Sequence, residues 1–218
     1  MNNKRFLLCL LSVAFFVAFA PYSISKDIRL IGGVAKDYKD TKGRVWHSGQ
    51  TEKQDWGGWV KELPKTAAAS VNDLTAAAKK KADDAGYDHE LFGAVSWAAN
   101  PVTVKYDLKT GNGLFNVTYM VREHWSPNNR GYDIIIEGDI VEKLYVTPGK
   151  GEIDIKEYKK IDITDGSMEV ELKGNAATKK GDLNPMFSAL EVLGQAGTAV
   201  GSAGKLTATW GTIKQEFR

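Results

Sequence analysis

The segment Val102-Thr103-Val104-Lys105-Tyr106-Asp107-Leu108 alternates apolar and polar side chains at every step. A period of two puts Val102, Val104, Tyr106 and Leu108 on one face and Thr103, Lys105 and Asp107 on the other, which predicts a half-buried strand. Thr110-Gly-Asn-Gly113 supplies a turn, and residues 114–122 read as the partner strand. The pattern recurs in residues 132–136 and 140–146 around Gly138-Asp139, and in residues 153–163 and 168–173 around Asp165-Gly166. In the last of these, Met168, Val170 and Leu172 face away from Glu169, Glu171 and Lys173. Short turns between alternating strands predict an antiparallel meander with one wet face.

Upstream, Ile28-Arg-Leu-Ile31 and Arg44-Val-Trp-His47 have the composition of short strands. Residues 70–86 read as a helix: Ser70-Val-Asn-Asp73 has the form of a capping box, an alanine- and lysine-rich run follows, and Gly86 supplies a stop. Leu91, Val95 and Ala98 recur at helical spacing before Pro101, predicting a second helix over 88–100. Asn184-Pro185 opens a third candidate containing Met186, Phe187, Leu190 and Leu193, because proline suits a first helical turn. Residues 206–213 read as a closing strand. The expected fold class is α+β, a curled antiparallel sheet (meander) packed against two or three helices.

The N-terminus predicts export. Lys4 and Arg5 precede fifteen uncharged residues, Phe6 to Ala20, and a small polar exit follows, as in a secretory signal peptide. The apolar run falls short of the roughly 20 residues that span a bilayer. Ala18-Phe-Ala20 and Ser23-Ile-Ser25 both present small residues to signal peptidase; Pro21 disfavours the first, so cleavage is expected after Ser25. Cys9 lies in the apolar run, after Leu8, which does not fit a lipoprotein anchor. The expected organisation is a signal peptide over 1–25 and a single domain over 26–218, secreted or periplasmic.

Cleavage there removes Lys4, Arg5 and the single cysteine, leaving 27 basic residues against 27 acidic ones. A neutral chain lacks the basic excess of a nucleic-acid binder, so no nucleic-acid partner is expected. A chain without cysteine has neither disulfides nor thiolate metal sites, and its core alone must hold it.

Few residues suggest chemistry. His47, His89 and His124 each neighbour an acid or a tryptophan, but their spacing matches no compact metal motif. Gly-x-Ser-x-Gly does not occur, and Gly32-Gly33 lacks the rest of a phosphate loop. Carboxylate pairs such as Asp83-Asp84 arise by chance among 27 acids. No catalytic residue, metal ligand or cofactor is therefore expected, and the chain leans away from an enzyme.

The six tryptophans say more. Trp56-Gly-Gly-Trp59 sets two indoles around a glycine pair that reads as flexible, and Trp125-Ser-Pro-Asn-Asn-Arg130-Gly-Tyr132 sets two aromatics around a polar turn. Indole offers apolar area plus one donor, which suits stacking on a sugar, a lipid or a protein surface. The leading expectation is an exported, soluble, non-enzymatic module that binds a glycan, lipid or protein through Trp56, Trp59, Trp125, Arg130 and Tyr132. It predicts that Trp56, Trp59 and Trp125 lie on one exposed surface or line one pocket, and burial of all three would remove it.

A second expectation, less favoured, is a membrane-active or self-associating protein. Gly194, Gly197, Gly201 and Gly204 would form a smooth stripe if residues 186–204 were helical. Glycine weakens a helix by about 1 kcal/mol per residue, which counts against this. A third is a hydrolase or metal enzyme built on the three histidines.

Overall fold

The computed structural model describes residues 26–52 and 54–195. The expected signal peptide and the expected strand over 206–213 lie outside them. Strands dominate. In chain order they are β1 (Ile28–Ile31), β2 (Tyr38–Lys39), β3 (Val45–Ser48), β4 (Gly57–Trp59), β5 (Lys65–Ala68), β6 (Ala94–Trp97) and β7 (Val104–Leu108). There follow β8 (Gly113–Arg122), β9 (Gly131–Ile136), β10 (Asp139–Val146), β11 (Ile153–Ile163), β12 (Met168–Gly174), β13 (Met186–Phe187) and β14 (Ala189–Gly194). The one α-helix among the described residues, α1, is Ala76–Ala85.

Six strands form one sheet in the order β11-β8-β14-β1-β3-β2, and five form a second in the order β10-β9-β12-β7-β4. Only β1 and β3 pair in parallel. The two sheets share one core, in which Leu30, Val117, Tyr119 and Leu190 of the first meet Tyr106, Ile134, Val170 and Leu172 of the second. That is a β-sandwich, with alternate side chains of each strand turned inward. A small third sheet, β13-β6-β5, lies beside it.

The six-stranded sheet is covered on its other face too. Ile31, Met120 and Ala189 point away from the sandwich core and pack with Leu74, Ala78 and Ala82 of the α1 region and with Leu91 and Phe92. This double burial explains why β14 does not alternate. Leu190 and Val192 enter one core and Ala189 the other, so the strand reads as a continuous apolar run.

The expected α+β class is therefore corrected to a β-sandwich with a single α-helix. The helix expected over 88–100 is a 3-10 turn, His89–Phe92, followed by β6. The helix expected from Asn184 is β13 and β14, a buried strand run whose spacing happens to suit a helix. Ser70 caps only a 3-10 turn, Val71–Asp73; α1 is capped by the Thr75 side chain, which accepts from the Ala78 N–H. Gly86 does end α1, at φ 73°.

The meander is corrected as well. β7 and β8 do not pair, and neither do β11 and β12, because each short connection crosses from one sheet to the other. Of the strands expected in the meander, β9 and β10 form a hairpin, with Glu137 and Gly138 both at positive φ, as a two-residue turn of matching twist requires; outside it β2 and β3 form another.

Two carboxylates, Asp37 and Asp40, brace residues 34–48 internally, and a third, Asp88, ties them to the segment that follows α1. Asp40 accepts from the Lys42 and Arg44 N–H groups and from Trp46 Nε1. Asp88 accepts from Tyr38 Oη and from Thr41, and Asp37 from the Ser48 N–H while bonding His47 Nδ1. Burial pushes each carboxyl up, but these hydrogen bonds outweigh it and hold all three below the ordinary aspartate value. A depressed folded value means that the stabilisation is present above the unfolded value, about 3.9, and is lost as pH falls through the folded value. Amides of Ser48, Thr41, Lys42 and Arg44 should thus lose hydrogen-exchange protection below about pH 4 before the sandwich core does. Protection that persists until global unfolding would refute this.

Candidate binding site at the loop end of the sandwich

β8 ends, β9 begins, β7 begins and β12 ends at the same end of the sandwich. Arg122 lies opposite Ile153, Gly131 opposite Val146, Val104 opposite Leu172 and Tyr132 opposite Gly174. The connections here are stitched together. The Asn128 N–H donates to the Pro148 carbonyl, the Gly181 N–H to Asn129 Oδ1, the Gly131 N–H to the Asp182 carbonyl and the Asn100 N–H to Asn184 Oδ1.

Glu123 organises the loop between β8 and β9. Its Oε1 accepts from the N–H groups of His124, Trp125 and Ser126 at 2.8, 2.8 and 2.9 Å, and its Oε2 accepts from Arg130 Nε at 3.1 Å. Arg130 also reaches Asp182 at 3.0 Å and the Asn184 carbonyl at 2.9 Å. Glu123 is fully buried and Arg130 nearly so. A buried carboxylate that satisfies three successive amides and a guanidinium fixes the backbone that leaves it.

The product of that fixation is Trp125, 39% exposed. His124 lies edge-on to it, ring centroids 5.5 Å apart, with Nδ1 3.4 Å from Arg122 Nη2. Arg122 is buried and donates to the carbonyls of Ala69 and Ser70. Its burial lowers its pKa, opposed by Asp73.

On the same end, nearer β4, lies a groove of about 360 Å³. Residues 60–62 and 101–103 line it, together with Glu171 and Lys173 from β12. Trp59 immediately precedes this lining; its indole N–H is buried without a partner. From β9 to β4 the sheet order is β9-β12-β7-β4. The groove begins at β12, one interstrand step from β9, the strand that the Trp125 loop leads into.

The residues expected at a site thus fall into three places. Trp125 is displayed, and Trp59 adjoins the groove. Arg130 and Tyr132 lie buried beneath the loop, where Tyr132 Oη bonds the Met186 carbonyl and Arg130 holds Glu123. Trp56 sits apart, 6% exposed, stacked on His47 at 5.5 Å, its carbonyl accepting from Lys109 at the opposite end of β7. Its glycines are not a hinge. Gly57 has φ +115°, and a β-carbon there would meet the Asp107 carbonyl oxygen, so the pair allows β4 to lie close on β7.

The histidines do not converge. His47 bonds Asp37, His89 bonds Asp83 and His124 meets Arg122. Among the described residues, no three His, Cys, Asp or Glu side chains are grouped to hold a metal ion. Of the glycine-bearing stretch over 186–204, β13 and β14 are buried strands, and β14 is paired on both sides. That corrects the helical reading of its first half; residues 196–204 lie outside the described set. Glu123 and the groove were not legible in the sequence, where a glutamate beside a histidine reads as surface.

The sequence matches no known family model, and no curated protein is similar to it. Solved structures share its fold. The ANXUR1 extracellular domain from Arabidopsis thaliana superposes with a TM-score of 0.64 at 14% identity, over 76% of this chain and 47% of that one. A structure of the plant receptor-like kinase ANX2 gives 0.63 at 16%, over 76% and 46%. Bacteroides uniformis β-glucuronidase 2 gives 0.57 at 12%, over 78% of this chain and 18% of the enzyme. The chain therefore spans about half, or less, of the proteins it resembles, and what they share with it is the sandwich.

Proposed function

We propose that this chain is an exported, non-enzymatic binding module that takes a glycan at the loop end of its sandwich. The observation that carries the reading is Trp125, an exposed indole on a loop locked by a buried glutamate. A rigid aromatic loses little conformational entropy on binding, which favours a displayed indole as an anchor. Asn128 and Asn129, both exposed, supply donors and acceptors beside it. The groove is lined by charged and polar groups as well as Val60, Pro101 and Val102, a composition better suited to hydroxylated rings than to an acyl chain. The fold supports the same reading, because extracellular domains share it.

Affinity electrophoresis through gels containing soluble polysaccharides tests this. At least one polysaccharide should retard the protein, and Trp125→Ala should weaken that retention about tenfold or more, as loss of a central aromatic anchor does. The exposed site should leave stability within about 0.5 kcal/mol of the parent. Retention unchanged by Trp125→Ala would remove the site. Binding to lipid vesicles or to a protein, in place of any glycan, would overturn the ligand class.

A further inference from the structure

We infer that the glycan taken at this end is an anionic polymer, carrying carboxylate or sulfate on its sugars; the inference rests on the binding-module reading above. Lys150 lies on the turn whose Pro148 carbonyl accepts from Asn128, and Lys179 and Lys180 lie in the loop whose Gly181 donates to Asn129. Three lysines thus come from turns hydrogen-bonded directly to the Trp125 loop. Lys61 and Lys173 line the groove. None of the five has an ion-pair partner among the described residues.

The acids of these segments are already engaged. Glu123 and Asp182 hold Arg130, Glu152 accepts from the Gly149 N–H, and Glu171 shares Lys105 with Glu169. Glu62 has no ion-pair partner among the described residues, and Glu152 and Asp133 bond neutral groups only. The five lysines are therefore cations of the loop end that no carboxylate holds, although residues 26–218 as a whole are balanced.

Carboxylates gather at the opposite end. There the Glu137-Gly138 turn meets the segment around Asp165, with Asp139 and Asp162 alongside. Glu137 and Glu169 exchange hydrogen bonds, and burial together with the charges of Asp165, Glu169 and Asp107 raises the Glu137 carboxyl. Lysines free of carboxylates at one end and gathered carboxylates at the other draw a polyanion to the first and repel it from the second. The groove runs across β12, β7 and β4 beside the Trp125 loop, and lysines border both, an arrangement that a chain longer than one sugar can span.

The test measures binding to alginate (carboxylate), chondroitin sulfate (carboxylate and sulfate) and dextran sulfate (sulfate), with dextran and glucomannan as neutral arms. The variants are Lys150→Ala/Lys179→Ala/Lys180→Ala, Lys61→Ala/Lys173→Ala, and two controls away from the site, Lys36→Ala/Lys160→Ala and Lys36→Ala/Lys143→Ala/Lys160→Ala, which match the charge lost in the second and the first. Retention by one or more acidic polymers is expected, falling as salt shortens the screening length to about 8 Å at physiological strength. The site variants should weaken it about tenfold, and the controls should not. Comparing the acidic arms identifies the anion. Retention by neutral polymers alone, indifferent to the site lysines, would overturn the anionic class while leaving the glycan reading intact. Equal losses in the controls would overturn the site, leaving only diffuse charge attraction. No retention by any polymer, acidic or neutral, would remove the glycan reading on which this one stands.

Discussion

Glu123→Ala should destabilise the protein by about 3–5 kcal/mol, the range for breaking a buried ion pair from one side. The side chain satisfies three backbone N–H groups and one face of Arg130, and it is fully buried. Removing it orphans those donors and leaves Arg130 with Asp182 and the Asn184 carbonyl alone. Each buried donor left without a partner costs about 1–3 kcal/mol. Glu123→Gln separates the contributions, since its single carbonyl oxygen can still accept from the amides while the charge facing Arg130 is gone. It should fall between the parent and the alanine variant in urea denaturation. Equal stability of all three would mean that the loop is held by something other than this carboxylate. Where Glu123→Ala still folds, it should lose ligand as Trp125→Ala does, because the indole would no longer be held in place.

Gly57→Ala is expected to cost about 3 kcal/mol or more, from positive-φ strain plus forced separation of two strands. Alanine at φ +115° is already strained, and its β-carbon would fall on the Asp107 carbonyl oxygen of the neighbouring strand. β4 then cannot keep Gly57 opposite Leu108 and Trp59 opposite Tyr106. Gly138→Ala provides the comparison. Its φ is +80°, but nothing lies within 4 Å of the added carbon, so only the left-handed penalty of about 1–2 kcal/mol applies. Thermal melts of the two variants should differ clearly. A Gly57 variant no worse than the Gly138 one would show that β4 is free to shift. The same shift would move Val60 and Lys61, so groove affinity should fall along with stability.

These two residues also mark where sequence reading stops. Trp56-Gly-Gly-Trp59 reads as a flexible aromatic loop, yet its first glycine is there for a close strand approach and Trp56 faces His47. Glu123-His-Trp reads as a solvated charge beside two aromatics, yet its carboxylate is interior. In both cases the deciding neighbour, Asp107 or Arg130, is fixed by packing rather than by local pattern. The expected helices fail for a related reason. Ala189-Leu-Glu-Val192 is buried on both faces of a central strand, and a strand buried on both sides has no period-two signal to read.

Local alternation was enough to identify six of the strands, β7 to β12. Residues 102–108, 114–122, 132–136, 140–146, 153–163 and 168–173 all lie in or overlap strands, because a half-buried strand must alternate wherever it pairs. The same local signal located the start of α1 only approximately and its end at Gly86. What it could not determine was pairing. A four-residue turn looks the same whether it closes a hairpin or carries the chain across to the facing sheet. That choice depends on which apolar faces meet in the shared core, and it is made by all the strands together. The tertiary structure alone gathers Trp125, its buried glutamate and the unpaired lysines at one end, since they come from loops as much as 120 residues apart that only the closed sandwich brings together.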